Sequence, residues 1–282
     1  MRIMITGGEG FIGRYVQSRL DELAIDSFTF DPAAYIGDDV TDSEAVENAF
    51  NDYHPDAVIH LAGLLGTHEL WSATSDAIDV NIKGALNVGQ WCLDNDAKMV
   101  SIEQPHIWYN VYEASKMAAR RMLTGMHYDR GLRVEFVTAH NAFGPGQAYG
   151  EGHPRKILPT FSTQAWAGGP IEIWGDGYQK VNLVYAGDVA AKLVERALMP
   201  ESNPLVQYQA GSKVLNTVGQ IAQTVELYVQ QQTGEYCGVA RIGNRLGEQN
   251  RFPYPEPDGS YEFDLKHHQI ERTIESYRPH DD

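Results

Sequence analysis

A tyrosine and a lysine four residues apart, in the run Tyr112-Glu113-Ala114-Ser115-Lys116, carry the clearest acid–base chemistry in this sequence. On a helix that spacing sets both side chains on one face, one turn apart. An ammonium beside a phenol favours the phenolate and lowers its pKa from about 10. Tyr112 is therefore expected to remove a proton from a substrate hydroxyl while a hydride leaves the same carbon for a nicotinamide, whose ribose Lys116 would hold. The run Thr6-Gly7-Gly8-Glu9-Gly10-Phe11-Ile12-Gly13 offers a seat for such a cofactor. Gly7 makes a tight turn, Gly10 lets the backbone approach a pyrophosphate, and Gly13 permits close helix packing, while Phe11 and Ile12 open a helix N-terminus toward the anion. Asp31, ending the next apolar run, is suited to accept from both adenosine ribose hydroxyls and to repel a 2′-phosphate. That choice selects NAD over NADP. Asp39 is expected beside the adenine amino group with Val40 against the ring, the competing reading being that Asp38 and Asp39 are turn residues. In His60-Leu61-Ala62-Gly63 the small residues leave room for a cofactor, and His60 alternatively reads as a hydrogen-bonded core histidine.

These residues need a scaffold that brings strand ends together. The first half alternates short apolar runs with helix-period segments, the pattern of parallel strands joined by crossover helices. Strands are expected at Arg2–Thr6, Ser27–Asp31, Ala57–Leu61, Lys98–Ile102 and Arg133–Ala139, with helices at Phe11–Leu23, Ser43–Asp52, Ile78–Leu93 and Val111–Tyr128. Right-handed crossovers then build an α/β fold, a Rossmann-type doubly wound parallel sheet whose ligand lies at the strands' carboxyl ends. From Asn141 to Pro170 the texture turns to Gly/Pro-rich loops, before a strand and helix over 182–199 and a helix over 217–231. The prolines of Phe252-Pro253-Tyr254-Pro255-Glu256-Pro257 favour an extended strap. We expect an NAD-binding domain of residues 1–153 with 182–211, and a smaller C-terminal substrate-binding lobe of 154–181 with 212–282.

Composition narrows the partners. The 282 residues carry 22 Lys and Arg against 38 Asp and Glu, a net charge of −16, which repels phosphate backbones and anionic lipid surfaces. Neither nucleic acid nor a membrane is expected as a partner. Cys92 and Cys237 are the two cysteines and stand in no CxxC or Cys/His pairing, so disulfide and zinc frameworks are not expected. No metal site has the right spacing, and no Gly-x-Ser-x-Gly elbow signals covalent hydrolysis. The opening residues lack a signal-peptide pattern, making the cytoplasm the expected compartment.

On these residues the chain resembles the extended short-chain dehydrogenase/reductase family, specifically its NAD-dependent epimerase/dehydratase branch acting on nucleotide sugars, over nearly its whole length. Asp79-Val80-Asn81-Ile82-Lys83-Gly84 is similar to the family's Asn-x-x-Gly helix, which implies a cofactor contact at Asn81. His140-Asn141-Ala142-Phe143-Gly144-Pro145-Gly146-Gln147 resembles its Asn-x-Tyr-Gly-Pro loop, which implies that Asn141 meets substrate. Arg245-Leu246-Gly247-Glu248 is similar to an Arg-x-Gly-Glu element, implying that Arg245 contacts the substrate diphosphate. Trp108 and Asn110, in the short segment before Tyr112, are expected to floor the sugar pocket, the alternative being a loop anchored on the core. The resemblance also implies a homodimer through the helices around 82–93 and 117–126, against the alternative of a purely intrachain core.

Two positions depart from the family. Where it carries a Ser or Thr after the strand preceding the tyrosine helix, this chain reads Ser101-Ile102-Glu103-Gln104-Pro105. Glu103 or Gln104 takes that place, or a shifted register brings in Ser101; Glu103 is the expected catalytic group. Two residues after Gln179 stands Val181 rather than a phosphate-gripping Arg, which leaves Arg245, with Arg155 and Lys156 as replacements. The leading expectation is a nucleotide-sugar epimerase with tightly held NAD, working by transient oxidation to a keto-sugar. A 4,6-dehydratase, a net NAD-dependent sugar oxidoreductase and a catalytically silent NAD-binding scaffold are the alternatives. The dehydratase needs an acid and a base where Glu103-Gln104 supplies one carboxylate.

Overall fold

The computed structural model describes residues 1–66, 69–107, 109–150, 153–243 and 254–279. They form two compact units, Met1–Ala139 with Ala186–Ala210, and His140–Tyr185 with Gly211–Asp282.

In the first unit, β1 (Arg2–Thr6), β2 (Asp26–Phe30), β3 (Ala57–His60), β4 (Lys98–Glu103), β5 (Val134–Ala139) and the strand Gln207–Ala210 form a six-stranded sheet. The order is Gln207–Ala210, β5, β4, β3, β1, β2, and every pairing is parallel. Strands covered on both faces read as continuous apolar runs rather than alternating ones. Ile3, Met4, Ile5, Val58, Ile59 and Val137 accordingly have no exposed surface. The chain steps from β1 to β2 on one side and then to β3 on the other, with Thr6 level with Phe30 and with His60. Such a reversal opens a crevice at the carboxyl ends of β1 and β3.

Four helical stretches cross between the strands. Helix α1 (Phe11–Glu22) follows the glycine run, and α2 (Ser43–Tyr53) starts on Asp42, whose carboxylate accepts from the amides of Glu44 and Ala45. Next, α3 (Thr74–Ala77) passes through a π-helical turn, Ile78–Gly84, into α4 (Ala85–Asp94). Helix α5 (Val111–Arg130) begins on Asn110 and ends on Gly131, at φ 85°. Val46, Phe50, Val88, Trp91, Cys92 and Leu123 close one face of the sheet over Met99, Val134 and Phe136. On the other, α1 packs against the helix Ala186–Leu198.

At the amino end of the sheet Lys98, Glu135 and Arg196 form a buried ionic cluster. Arg196 grips Glu135 with two bonds of 2.9 Å, and Lys98 Nζ lies 3.0 Å from the same carboxylate. Lys98 also donates to the carbonyls of Arg196, Met199 and Glu201, which ties the loop after the helix to the sheet.

The second unit gathers the helices Ile157–Trp166, Val218–Thr233 and His267–Glu275 around Leu158, Phe161, Ile221, Val225, Ile270 and Ile274. A Thr217/Gln220 capping box opens the second of these. Residues 140–150, 153, 182–185 and 211, expected with the first domain, fall here by contact. The strand Asn141–Phe143 pairs with Leu183–Tyr185, and Phe143 and Leu183 enter this unit's core.

Candidate active site

The glycine turn after β1 is shaped by close approaches that only glycine permits. Gly7 has φ 73°, and a Cβ there would fall 2.7 Å from the Ala62 amide nitrogen. A Cβ on Gly13 would stand 2.2 Å from the Gly8 carbonyl oxygen, so α1 starts directly against the turn. Gly10 is the N-cap and provides no side-chain cap, which leaves the first-turn amides at Phe11 and Ile12 for an anion. Asp31 follows β2 and is fixed beside this turn, Oδ2 accepting from the Glu9 amide at 3.0 Å and Oδ1 from Ala33 at 2.9 Å. A carboxylate has about four acceptor positions, so two amides leave capacity for a ribose diol. This cradle fits a dinucleotide with an unphosphorylated adenosine ribose.

The stretch after Asp31 divides the sequence reading. Asp38 is buried, accepts from the Asp31 amide at 3.4 Å, and has its carboxyl pushed up by burial. Asp39 is exposed and caps its own turn, Oδ1 accepting from Thr41 at 2.8 Å. Val40 is buried beneath the π turn, where a Cβ on Gly84 would meet its Cγ2 at 2.7 Å.

At the end of β3, His60 is wholly buried, its Nδ1 sharing a 2.8 Å hydrogen bond with Thr6 Oγ1 while Nε2 has no partner among the described residues. Burial, with Lys116 nearby, pushes its pKa down to about 3, so the ring is neutral. Leu61, Ala62 and Gly63 then bring the backbone to the π turn and α5, where a Cβ on Gly63 would lie 3.0 Å from Asn81 Oδ1 and 3.8 Å from Lys116 Nζ. Asn81 sits in the π turn, and such turns recur at functional positions because one extra residue re-aims a side chain. Its amide is occupied by the protein. Oδ1 accepts from Leu64 N–H at 2.7 Å, and Nδ2 donates to Leu64 O and to Ser115 Oγ at 2.9 Å each. Asn81, the expected cofactor contact, also clasps the 61–64 turn beside Lys116.

Tyr112 stands in the first turn of α5 and Lys116 one turn on, as the spacing requires. The electrostatics run against the sequence expectation, because the phenol's pKa is pushed up to about 12 by burial and by the Glu103 carboxylate. Burial lowers the Lys116 pKa, and Glu103 opposes that shift. At neutral pH Tyr112 is therefore a phenol. Glu103, the expected catalytic group, is bound by Arg120, whose Nη1 donates to Oε2 at 2.6 Å. Gln104, the alternative, is buried with both amide heteroatoms unpartnered among the described residues. Ser101 is buried within β4.

The substrate candidates separate. Asn110 is the N-cap of α5, its Oδ1 accepting from the Glu113 amide at 2.8 Å, so its side chain serves the helix rather than a sugar pocket. Asn141, in the second unit, accepts from the Tyr254 hydroxyl at 3.2 Å, and that hydroxyl also shares a 2.8 Å bond with His140 Nδ1. Trp108 and Arg245 lie outside the described residues. Among the described residues no group of three His, Cys, Asp or Glu could hold a metal ion. Arg120 was missed by the sequence reading, although it repeats the four-residue spacing from Tyr112 through Lys116.

Comparison with known proteins adds an independent line. The model of the NAD dependent epimerase/dehydratase family matches residues 3–103 and 105–206. A dTDP-glucose 4,6-dehydratase of Haemophilus influenzae is 26% identical over 235 residues, covering 67% of this chain and 68% of its own. The UDP-glucose 4-epimerase of Thermotoga maritima, solved with UDP-glucose, superposes with a TM-score of 0.84 at 20% identity over 99% of both chains. That of Thermus thermophilus, in complex with NAD, gives 0.81 at 21% identity, again over 99% of both. At such identities the structural likeness is one of fold.

Proposed function

The chain belongs to the NAD-dependent epimerase/dehydratase family and is an enzyme that works with NAD; within that family we propose that it epimerises a nucleotide sugar. The observation that carries the proposal is the gathering of Gly7, Gly13, Asp31, Gly63 and Lys116 around the carboxyl ends of β1 and β3, with Tyr112 one turn from Lys116 on α5. The amides of the Gly7–Gly13 turn would hold the pyrophosphate, Asp31 the adenosine ribose, Asp39 and Val40 the adenine, and Lys116 the nicotinamide ribose. Bound NAD supplies a two-electron acceptor for hydride from the sugar carbon, restored when that hydride returns to the opposite face. Tyr112 Oη carries the matching proton. To act as the base Tyr112 first gives up its own proton to solvent, a loss that burial and the Glu103 charge oppose and the Lys116 ammonium one turn away favours; the phenolate then takes the proton of the sugar hydroxyl and gives it back to the keto oxygen, the direction its high proton affinity favours.

Epimerisation is favoured over dehydration by the end of β4. Elimination of water needs an acid and a base besides the tyrosine, whereas here the single carboxylate, Glu103, is paired with Arg120 and followed by an amide. Gln104, with its unanswered donors and acceptor, is the side chain we assign to orienting the sugar hydroxyl, and Asn141, Trp108 and Arg245 remain the proposed contacts to the rest of the substrate. A panel of UDP-, GDP- and dTDP-hexoses and uronic acids, with products separated by stereochemistry, tests this. Inversion without release of NADH supports the proposal, loss of water transfers the chain to the dehydratases, and no turnover of any member overturns it.

We also propose a homodimer built on α4 and α5, because Leu86, Gln90, Met122 and Met126 line an open groove between these helices, with Met122 half exposed.

A further inference from the structure

Asp31 does not stand by itself at the seat proposed for the adenosine ribose. Seven residues on, Asp38 is 7% exposed, and its Oδ2 accepts from the Asp31 amide at 3.4 Å. The loop between them is closed by its own backbone. Ala34 and Tyr35 donate to the Asp31 carbonyl at 2.9 and 3.0 Å, and the Asp38 amide donates to the Tyr35 carbonyl at 2.9 Å. The Asp38 carboxyl thus lies about one side chain behind that of Asp31, which is itself turned to the Glu9 and Ala33 amides. Closing such a loop needs no charge, since an amide oxygen would accept the 3.4 Å bond as well. An acid in this place is costly, because burial, and after it the Asp31 charge, push the Asp38 carboxyl up.

The charged residues around this seat come from three segments. Asp31 and Asp38 follow β2; Glu9, whose amide serves Asp31, belongs to the glycine turn; Arg14, whose Nε donates to the Glu9 carbonyl at 3.1 Å, belongs to α1. A guanidinium in that place would favour a phosphate, so rejecting one asks for more negative charge than a single acid brings. A dinucleotide with a free ribose diol adds no charge here, whereas a 2′-phosphate adds about two negative ones. Across about 8 Å, in a medium between protein and water, one further carboxylate is worth about a tenfold loss of affinity for that phosphate.

We propose that Asp38 is a second specificity-determining residue for the cofactor, a buried carboxylate behind the ribose seat that leaves NAD binding alone and repels the 2′-phosphate of NADP. The proposal rests on the assignment of Asp31 to the ribose given above, but its test reads bound cofactor and needs no turnover. The purified protein is equilibrated with equal concentrations of NAD and NADP until the bound ratio is constant, at pH 8 so that a carboxyl pushed up by burial is ionised. The dinucleotides released on denaturation are then separated and counted. The wild type is expected to release NAD almost alone. Asp38→Asn keeps an acceptor for the Asp31 amide and is expected to raise the NADP-to-NAD ratio about tenfold at unchanged total dinucleotide. Should that variant not fold, Asp38→Ser carries the same expectation. A ratio unchanged in these variants, or a total that falls while the ratio stays fixed, overturns the proposal and leaves Asp38 as a loop residue only. Asp31→Asn separates the two readings. No change of ratio there sinks the ribose assignment and this proposal with it, whereas a change there with none in Asp38→Asn sinks this proposal alone.

Discussion

In the proposed mechanism Tyr112 carries the proton, and removing its hydroxyl would separate catalysis from binding. Tyr112→Phe is expected to lower turnover by about 10² to 10⁴-fold, the usual worth of a positioned acid–base group, while NAD recovered from the denatured protein stays at the wild-type level. Full activity in that variant would remove the phenol from the mechanism. His60 makes a second residue-scale claim. Its pKa is lowered to about 3 in the fold against about 6.5 in an unfolded chain, so between those values the unfolded state binds a proton that the native state does not. Its contribution is therefore fully present above about pH 6.5 and is lost progressively as pH falls toward 3. Urea midpoints measured from pH 7 to 4 should decline, and less steeply in His60→Gln. Tyr112 and Lys116 were legible in the sequence because spacing alone fixes their common face; the phenol's high proton affinity was not, because it depends on burial and on a carboxylate nine positions earlier in the chain.

At the scale of the element, α5 holds the site by its first turn. Asn110→Ala removes the cap and is expected to cost about 1 kcal/mol in denaturant unfolding, with turnover falling as the Tyr112 turn frays. The sequence reading gave Asn110 to the sugar although it stands one residue before α5, with Glu113 at the third helical position, a capping-box spacing. β1 was placed to the residue, since a buried parallel strand announces itself as an apolar run between turn signals, and β2, a half-exposed edge strand, to within one. The helix expected at 78–93 instead begins at Thr74 and contains the π turn, a defect with no periodic signature of its own. Pairings across long separations were equally hidden, and Lys98 is the clearest case. A lysine opening a strand reads as solvated, yet it is buried and satisfies three carbonyls. Lys98→Met should lower unfolding stability by about 3 kcal/mol, roughly 1 per lost bond, with NAD content unchanged because the cluster lies at the amino end of the sheet.

The whole molecule is charged at −16 and exposes Met117 and Met122 on α5 at 46% and 49%. A dimer through α4 and α5 would cover them. Light scattering on the purified protein should give twice the 31.4 kDa chain mass, and Met122→Glu, which puts a charge against its symmetry mate, should reduce it to one. A wild-type monomer at micromolar concentration would refute the assembly. The fold class followed from alternation of strand and helix patterns, whereas the boundary after β5 did not, because Asn141–Phe143 stands in a loop-like sequence and forms a strand only by pairing with Leu183–Tyr185.

The chain leaves the first unit at Ala139 and returns at Ala186, and the strand next to β5 is contributed only by Gln207–Ala210. During synthesis, a ribosome that has released the first 139 residues has therefore produced a sheet whose β5 border lacks its neighbour and whose α1 lacks its packing partner. An unsatisfied strand border is an invitation to foreign strands. The sheet of the first unit therefore cannot close its β5 border until Ala210 has emerged, and the nascent chain between those two points carries that border open.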